Sequence, residues 1–314
     1  MSSPRHVLEA SAAPHQSGDG GVLAVVVDTE GSTYVRPGAM ALFASAGGQV
    51  GWLSGGCLEP EIESRAQLAA TDRRIASMDI DTRDDEDLMS GSAPGCRGRL
   101  RLALLPLAAM PGWPEVVDAW RQRQGALQLW LSTHAGLQAQ VGRVHRQWQI
   151  DASMTLPWRI SVEAPPALLV FGAGPETPTL LPLLRSLGWM VTLVERRARW
   201  IPHAAHADHS LASSPEAVLH KLEGTAFDAA LVMNHNFELD RETLHALAGN
   251  QVAFIGLLGP VRRREDLFRV LPAHTRESLV ERLRSPVGMA LGGQGPEAIA
   301  LSIAAQLQGY RFPQ

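Results

Sequence analysis

The chain has 314 residues with a hydrophobic share of 45%, a charged share of 19% and a formal net charge of -4 at pH 7. This length allows two ordinary domains, and the acidic balance argues against nucleic acid or an anionic membrane as the main partner. No apolar run reaches the roughly 18 residues that a membrane-spanning helix needs. Two cysteines are too few for a disulfide scaffold.

The N-terminal residues 1–20 are polar and rich in glycine, serine and alanine, so we predict disorder there, with one weak helical turn near residues 5–13. The stretch has neither the apolar core of a secretion signal nor the arginine-rich pattern of an import signal. We therefore expect a cytoplasmic protein that is not bound to a membrane.

A mixed α+β domain is predicted over residues 21–156. Residues 22–27 form a continuous apolar, β-branched run, which is typical of a buried strand, and a loop is predicted at 28–33. Residues 99–105 alternate leucine with arginine, the pattern of a half-buried strand. The other predicted elements are strands at 39–44, 50–53 and 75–80, a helix at 114–123, and a hairpin formed by 127–132 and 138–149.

The segment 51–63 joins a strand to a helix through a double-glycine turn, Gly55-Gly56, followed directly by Cys57. Pro60 suits the first turn of a helix, and the carboxylates that begin with Glu59 suit its positive end. The helix start favours the thiolate form of Cys57, whereas the neighbouring carboxylates disfavour it. We therefore expect this thiol to be a ligand or to line a pocket rather than to be a nucleophile. The alternative is a small buried hydrophobe, a common role for free cysteine.

The second cysteine, Cys96, lies in another glycine-rich turn at residues 90–98. An acidic run at residues 79–87 precedes this turn. We interpret the run as a solvated loop rather than a metal site, because it lacks the ligand spacing of a calcium loop.

Prolines punctuate residues 157–166, where we place a linker between domains. From residue 167 onward, apolar strands alternate with helices, and a last helix follows residue 295. This alternation predicts an α/β fold over residues 167–314, with a doubly wound, parallel, Rossmann-like sheet and a C-terminal helix.

A dinucleotide signal is present at the first turn of this second domain, but it is defective. Gly172 and Gly174 follow a strand and precede a helix, and Glu195 ends the next strand, where an acidic residue meets a ribose hydroxyl. However, prolines remove backbone donors at positions 175 and 178, and Glu176 places a carboxylate where a pyrophosphate would sit. We therefore expect the nucleotide fold without NAD(P) chemistry.

Polar side chains follow the later strands of this sheet. His235 and Asn236 come after one apolar run, where a histidine can be a proton donor, a ligand or merely structural. Arginines follow other runs and can clamp a phosphate with paired hydrogen bonds, although solvated helix ends would also explain them. The arginines in question are Arg262, Arg263 and Arg284.

Several motifs, in a fixed order, carry a resemblance to a known family. They are Gly31-Ser32, Arg36-Pro37-Gly38, Ser54-Gly55-Gly56-Cys57-Leu58-Glu59, Gly172-Ala173-Gly174, His235-Asn236 with Phe237-Glu238-Leu239-Asp240, Ile255-Gly256-Leu257-Leu258-Gly259, Arg284-Ser285-Pro286-Val287-Gly288 and Glu297-Ala298-Ile299-Ala300. As a set, from residue 22 to residue 307, they resemble the XdhC/CoxI family of xanthine dehydrogenase accessory proteins.

The resemblance implies a chaperone rather than an enzyme, with a role in purine catabolism. Such proteins bind the molybdenum cofactor, hold it while a cysteine desulfurase installs its sulfido ligand, and deliver it to apo xanthine dehydrogenase or a related molybdenum hydroxylase. It also implies a homodimer. Two departures stand out: Gly95-Cys96-Arg97-Gly98 replaces a family motif that often reads Cys-Gly-Gly, and Pro175-Glu176 occurs in only part of the family.

The cofactor is a phosphorylated pterin that holds its metal through a dithiolene, so a carrier needs an anion site, polar backbone and a soft ligand. One hypothesis is that the turns of Cys57 and Cys96 converge, so that both thiols line one pocket and can contact the molybdenum; the alternative is that each cysteine is a small buried hydrophobe. With His235 they are also the candidates for any catalytic role. The expected cofactor-binding residues are Gly31, Ser32, Arg36, Gly55, Gly56, Cys57, Glu59, Cys96, Gly172, Gly174, His235, Asn236, Arg262, Arg263 and Arg284. Two alternatives remain: an NAD(P)-dependent oxidoreductase that uses the Gly172 turn, and a docking protein without a cofactor.

Overall fold

The computed structural model describes residues 3–13, 21–44, 48–83, 97–132, 136–150 and 155–313. The chain divides into two compact units, Met1–Pro165 and Pro166–Gln314. Each unit has its own sheet structure and its own hydrophobic cores. Among the helices of the described ranges, none is both long enough and apolar enough to cross a membrane.

The first unit contains two antiparallel sheets. The larger has the order β3-β2-β1-β5-β4 and the smaller has the order β8-β7-β6-β9. The strands are β1 (Val22–Gly31), β2 (Met40–Phe43), β3 (Gln49–Val50), β4 (Ala76–Asp81), β5 (Gly98–Pro106), β6 (Leu127–Leu131), β7 (Leu137–Val141), β8 (Val144–Trp148) and β9 (Trp158–Val162). The helices are α1 (Pro4–Ala12), α2 (Glu59–Asp72) and α3 (Trp113–Arg121).

The larger sheet is buried on both faces, which explains why β1 begins as a continuous apolar run. Alternate residues of β1 point to opposite faces, so that Leu23 and Val25 join one core while Ala24 and Val26 join the other. Helix α2 packs its apolar stripe on the second of these faces. Helices α1 and α3 and the smaller sheet contribute to the first core.

At the N-terminus, the helical turn predicted near residues 5–13 is present, whereas the disorder predicted around it is not found in the part that the structure describes. Residues Pro4–Ala12 form α1, which the Ser3 hydroxyl caps by accepting a hydrogen bond from the Arg5 amide at 3.3 Å. Val7 and Leu8 are fully buried in the first core. So short a helix is not stable by itself, and its burial against the core, which the sequence does not display, accounts for it. Residues 14–20 lie outside the described ranges.

The loop predicted at residues 28–33 was also wrong in its first part, because β1 continues to Gly31. Its polar half pairs with β5, and the carboxylates of Asp28 and Glu30 lie within ion-pair distance of Arg101 and Arg99 at 3.0 and 3.7 Å. Asp79 on β4 joins the same ladder. Cross-strand pairs of opposite charge stabilise a solvated sheet face, so the strand does not need apolar residues there.

The predicted linker at residues 157–166 contains a strand. Residues Trp158–Val162 form β9, which pairs with β6 and buries Ile160 and Val162. The Trp120 indole donates a hydrogen bond to the Val162 carbonyl at 3.1 Å. Proline flanks the strand but is absent from it, so the ladder is not interrupted.

The second unit is a single parallel sheet with helices on both faces, which confirms the predicted Rossmann-like class. Its strand order is β12-β11-β10-β13-β14-β15. The strands are β10 (Ala167–Phe171), β11 (Met190–Val194), β12 (His209–Leu211), β13 (Ala229–Val232), β14 (Phe254–Leu257) and β15 (Leu283–Arg284). The helices are α4 (Thr177–Ser186), α5 (Pro215–Lys221), α6 (Phe237–Ala248), α7 (Val261–Val270), α8 (Ala273–Leu279) and α9 (Pro296–Arg311).

Helices α4 and α9 cover one face of this sheet, and α5 to α8 cover the other. The strand order reverses between β10 and β13, because the chain first builds outward from β10 through β11 and then returns to its other side. Such a switch point leaves a crevice at the C-terminal ends of the strands. The residues that follow β10 and β13 therefore occupy the position where this fold binds ligands.

Candidate functional site

The thiol turn, which is formed by residues 52–58 and contains Cys57, lies at one end of the larger sheet of the first unit. Strand β3 runs beside β2, and Gly51 lies so close to the Met40 carbonyl that an added Cβ would be 2.7 Å from it. Residues 52–58 therefore leave the sheet at the end where β2 begins. Helix α2 starts directly afterwards at Glu59.

Glu59 folds back into the turn instead of facing solvent. Its side chain is only 5% exposed, and its Oε1 accepts hydrogen bonds from the amides of Leu53 at 3.0 Å and Ser54 at 2.8 Å. The Ser54 hydroxyl donates to Oε2. Burial works to raise the pKa of Glu59, but these hydrogen bonds outweigh it and hold the pKa below its ordinary value.

Ser54 organises the rest of the turn. Its Oγ accepts hydrogen bonds from the amides of Gly56 and Leu58, each at 3.1 Å, and the Cys57 Sγ lies 3.7 Å from it. The amides of Gly55 and Cys57 donate to no acceptor within the described residues. Both glycines face open space, and Cys57 is exposed. The turn thus presents a thiol and two unused N–H groups on a rigid base.

The residues predicted around this turn lie at the same end of the sheet. Gly31 ends β1, and the Ser32 amide donates to the Arg97 carbonyl at 3.0 Å. Arg36 is exposed in the connection from β1 to β2, and no ion-pair partner for it occurs among the described residues. Its guanidinium is therefore available to an anionic ligand.

Cys96 lies outside the described ranges, so the predicted convergence of the two thiols stays a prediction. By sequence it directly precedes Arg97, whose carbonyl contacts Ser32 at the end of β1. Within the ranges that the structure describes, no group of three or more histidine, cysteine or carboxylate side chains could hold a metal ion. A metal bound by Cys57 would therefore have to bring further ligands with it.

The second candidate place is the switch point of the parallel sheet. Gly172 has a left-handed backbone (φ 88°), and an added Cβ would lie 2.5 Å from the Asn234 Cα. Only glycine allows β10 and β13 to approach so closely at their ends. The predicted residues Gly172, Gly174 and His235 meet here.

The backbone amides of the turn after β10, which a pyrophosphate would need as donors, already donate hydrogen bonds within the protein. The Gly172 amide donates to the Val194 carbonyl at 2.9 Å, the Ala173 amide to Glu195 Oε2 at 2.8 Å, and the Gly174 amide to the Thr177 Oγ1 at 2.8 Å. Pro175 has no amide hydrogen to offer. These residues do not fit a dinucleotide bound in the usual manner.

Glu195 is likewise occupied. Arg197 donates to both of its oxygens, with Nε to Oε1 at 2.9 Å and Nη2 to Oε2 at 2.6 Å. Burial works to raise the pKa of Glu195, but the Arg197 hydrogen bonds and the amides of Arg197 and Ala173 hold it below its ordinary value. A ribose hydroxyl would have to displace this ion pair.

His235 and Glu176 form a dyad across the switch point. Glu176 is 1% exposed, and its Oε1 lies 3.0 Å from His235 Nε2. The ring stands over Gly174, where an added Cβ would be 2.4 Å from Nε2, and the His235 backbone is left-handed at φ 51°. A strained, non-glycine residue held by a buried carboxylate at a ligand-binding edge is typical of a functional site.

The hydrogen bond with Glu176 raises the pKa of His235 above its ordinary value, and the charges of Glu176 and Asp240 add to this effect. Burial and Arg197 oppose it. Since the pKa of His235 is raised in the folded state, its interaction with Glu176 stabilises the fold. This contribution is fully present below the unfolded pKa of about 6.5 and is lost as pH rises through the folded pKa.

We predict that Glu176→Gln lowers the pKa of His235, as followed by its ring resonances in an NMR titration. The matched control is Glu238→Gln, an exposed carboxylate on α6, which should leave the pKa of His235 unchanged. An unaltered titration in Glu176→Gln would show that the dyad does not set the charge of the ring.

Further polar residues at these strand ends hold the scaffold. Asp240 is buried, accepts hydrogen bonds from the Asn234 amide at 3.1 Å and side chain at 3.0 Å, and forms an ion pair with Arg263. The Asn236 side chain caps α6 by accepting from the Leu239 amide at 3.0 Å. These contacts give Arg263 and Asn236 structural partners.

The two other predicted arginines lie at helix and strand ends away from the dyad's hydrogen bonds. Arg262 is 89% exposed and lies 3.8 Å from Asp266, and Arg284 donates to the Glu281 carbonyl at 2.7 Å. The polar partners of His235 and Glu176 in the described ranges do not include either arginine. Ser54 and Asp240 stand in the motifs of the family resemblance but were not among the expected binding residues, and sequence reasoning missed Arg197. The signal for Arg197 was a charged residue three positions after the end of β11.

Comparisons with known proteins agree with this architecture. Residues 168–307 match the family model described as the XdhC Rossmann domain, and residues 15–80 match the model of the XdhC and CoxI family. A Bacillus subtilis (strain 168) protein described as a probable subunit of xanthine dehydrogenase is 28% identical over 312 residues, which cover 91% of this chain and 92% of the relative.

A solved structure is also similar. The crystal structure of a xanthine dehydrogenase from Bacillus halodurans superposes with a TM-score of 0.79 at 28% sequence identity, covering 99% of this chain and 97% of that chain. The two family models together account for more than half of the chain. With the glycine turn at Cys57 and the parallel sheet order, these matches show that the chain belongs to the XdhC/CoxI family.

Proposed function

We propose that this chain is an accessory protein that binds the molybdenum cofactor at the Cys57 turn, holds it during sulfuration and delivers it to a molybdenum hydroxylase. The observation that carries the proposal is the open glycine turn, which presents an exposed thiol beside two unused amides in a chain of the XdhC/CoxI family. Thiolates are soft ligands that suit a metal of this kind.

The residues present fit such a ligand. Arg36 would bind the phosphate, because its guanidinium has no partner among the described residues and offers a planar set of donors. The amides of Gly55 and Cys57 would bind polar edges of the pterin, and the Cys57 thiol would contact the metal, with Cys96 as the second candidate. The cofactor exercises its own redox chemistry in the client enzyme, so this chain has only to bind it and release it.

The client that we propose is xanthine dehydrogenase or a related molybdenum hydroxylase, since the Bacillus subtilis relative is described as a probable subunit of that enzyme. A cysteine desulfurase would supply the sulfur. We further propose a homodimer that acts in the cytoplasm, in purine catabolism, and that is not itself an enzyme.

We assign no NAD(P) chemistry to the second unit. Its turn amides and Glu195 already have partners within the protein, so a dinucleotide would gain little from them. The oxidoreductase alternative predicts saturable NADH binding to the purified chain. A flat calorimetric titration with NADH is the outcome that we expect.

Transfer to an apo enzyme tests the proposal. Protein purified from a host that makes the cofactor is mixed with apo xanthine dehydrogenase, and the appearance of hydroxylase activity is followed. We expect activity with the wild type and its loss with Cys57→Ala. A docking protein without a cofactor would bind the apo enzyme in a pull-down yet never activate it, and that result would contradict the proposal.

A further inference from the structure

Two aromatic side chains of the first unit are exposed, one in the thiol turn and one in the connection from β1 to β2. Trp52 is 50% exposed and Tyr34 is 46% exposed, although each directly precedes a fully buried residue, Leu53 and Val35 respectively. The buried neighbours fix the backbone while the rings remain in solvent. Burying a ring of this size releases a large hydrophobic free energy, so two such rings on a fixed backbone offer contact area to a ligand.

Sheet register places the backbone of Trp52 and the connection that contains Tyr34 at the end of the sheet from which the Cys57 turn leaves. The Gly38 amide donates to the Val26 carbonyl at 2.8 Å, which holds the connection 32–39 against β1 where β2 begins. Trp52 follows Gly51, which lies beside Met40 at the same end.

The hydrophobic core gives a second indication of this placement. Val35, Leu53 and Leu58 belong to one hydrophobic cluster. Tyr34, Trp52 and Cys57 each immediately precede one of these three residues in the chain. The exposed aromatic and thiol groups, and Arg36 directly after Val35, are therefore each adjacent in the chain to a residue of one apolar cluster.

We propose that Tyr34 and Trp52 stack on a planar, negatively charged heteroaromatic ligand whose anionic group is bound by Arg36. Aromatic rings bind such ligands through their faces, and a guanidinium without an ion-pair partner among the described residues favours an anion. The proposal rests on the proposed function, where the ligand is the pterin of the molybdenum cofactor. It assigns the pterin to two residues outside the recognised motifs.

An apolar contact between two copies of the chain is a weaker explanation. Within the described part of the first unit, the exposed large hydrophobic side chains are Tyr34, Trp52 and Leu68. A dimer core draws on a wider apolar patch, whereas two rings that are close in the chain to the open Gly55 and to Arg36 suit a small planar molecule.

Equilibrium dialysis with 6-carboxypterin, a planar pterin anion, tests the stacking directly. Trp52→Leu and Tyr34→Leu are each expected to weaken binding by about tenfold or more, as base–aromatic stacking does elsewhere. Trp52→Phe keeps a stacking face and should retain most of the affinity. Phe312→Leu removes a ring that is 56% exposed in the second unit and should bind like the wild type.

Wild-type affinity in both Trp52→Leu and Tyr34→Leu would overturn the inference. So would a change from dimer to monomer in Trp52→Leu, measured by light scattering, with 6-carboxypterin affinity unchanged. Far-UV circular dichroism of each variant shows whether it has folded, and Trp52→Phe supplies the comparison if Trp52→Leu does not fold.

The pterin content of the purified proteins separates this inference from the proposed function. Wild-type protein without pterin, from a host that makes the cofactor, would defeat the proposed function. Wild-type and Trp52→Leu proteins that carry equal pterin would defeat the stacking role alone. Pterin in the wild type and its loss from Trp52→Leu is the result that supports both.

Discussion

Replacing Glu59 with alanine is expected to lower the free energy of unfolding by roughly 2–4 kcal/mol, because it leaves buried donors without acceptors. The amides of Leu53 and Ser54 and the Ser54 hydroxyl all donate to this carboxylate. Without Glu59 the Ser54 side chain would also lose the orientation in which it accepts from Gly56 and Leu58. The thiol turn should therefore loosen together with the start of α2.

Urea unfolding followed by circular dichroism measures the effect, and Glu61→Ala is the matched control. Glu61 lies in the same first helical turn but is exposed, so its loss should change stability by less than about 0.5 kcal/mol. Equal stabilities for the two variants would show that Glu59 does not hold the turn.

The pH dependence of this difference provides a further check. The folded pKa of Glu59 is lowered, so its contribution is present above the unfolded pKa and is lost as pH falls through the folded pKa. The difference in the free energy of unfolding between wild type and Glu59→Ala should therefore become smaller as the pH falls from the unfolded pKa of Glu59 through its folded pKa.

The helix at the thiol turn could be predicted from sequence, but the role of its glutamate could not. Pro60 and the carboxylates after Cys57 indicate a helix start, and α2 begins at Glu59. A carboxylate in a first turn can face solvent, a ligand or its own backbone, and sequence does not distinguish these. The hydrogen bonds from Leu53 and Ser54 become visible only in the folded turn.

The parallel sheet was predictable because strands and helices alternate with clear periodicity after residue 167. The side chains that meet in the crevice of this sheet were predictable only in part. His235 and Glu176 are separated by 59 positions, and the adjacency of β10 and β13 brings them together. Glu195 stands at the position where an acidic residue meets a ribose hydroxyl in dinucleotide-binding folds, but the sequence did not show that Arg197, two residues later, forms an ion pair with it.

Removal of the thiol itself should have the largest functional effect. Cys57→Ala deletes the exposed sulfur but leaves the Glu59 and Ser54 hydrogen bonds that build the turn, so the fold should be retained. We expect most of the bound molybdenum to be lost, because a methyl group cannot replace a soft ligand. Cys57→Ser should behave similarly, whereas Glu61→Ala should retain the metal.

Binding of the molybdenum cofactor through Cys57 is tested by the molybdenum and pterin content of the wild-type chain and of Cys57→Ala, both purified from a host that makes the cofactor. Elemental analysis for the metal and fluorescence of the oxidised pterin give the two quantities. We predict both components in the wild type and a large loss of molybdenum in Cys57→Ala. A wild-type protein that contains neither component, or a Cys57→Ala protein with unchanged molybdenum, would contradict the claim.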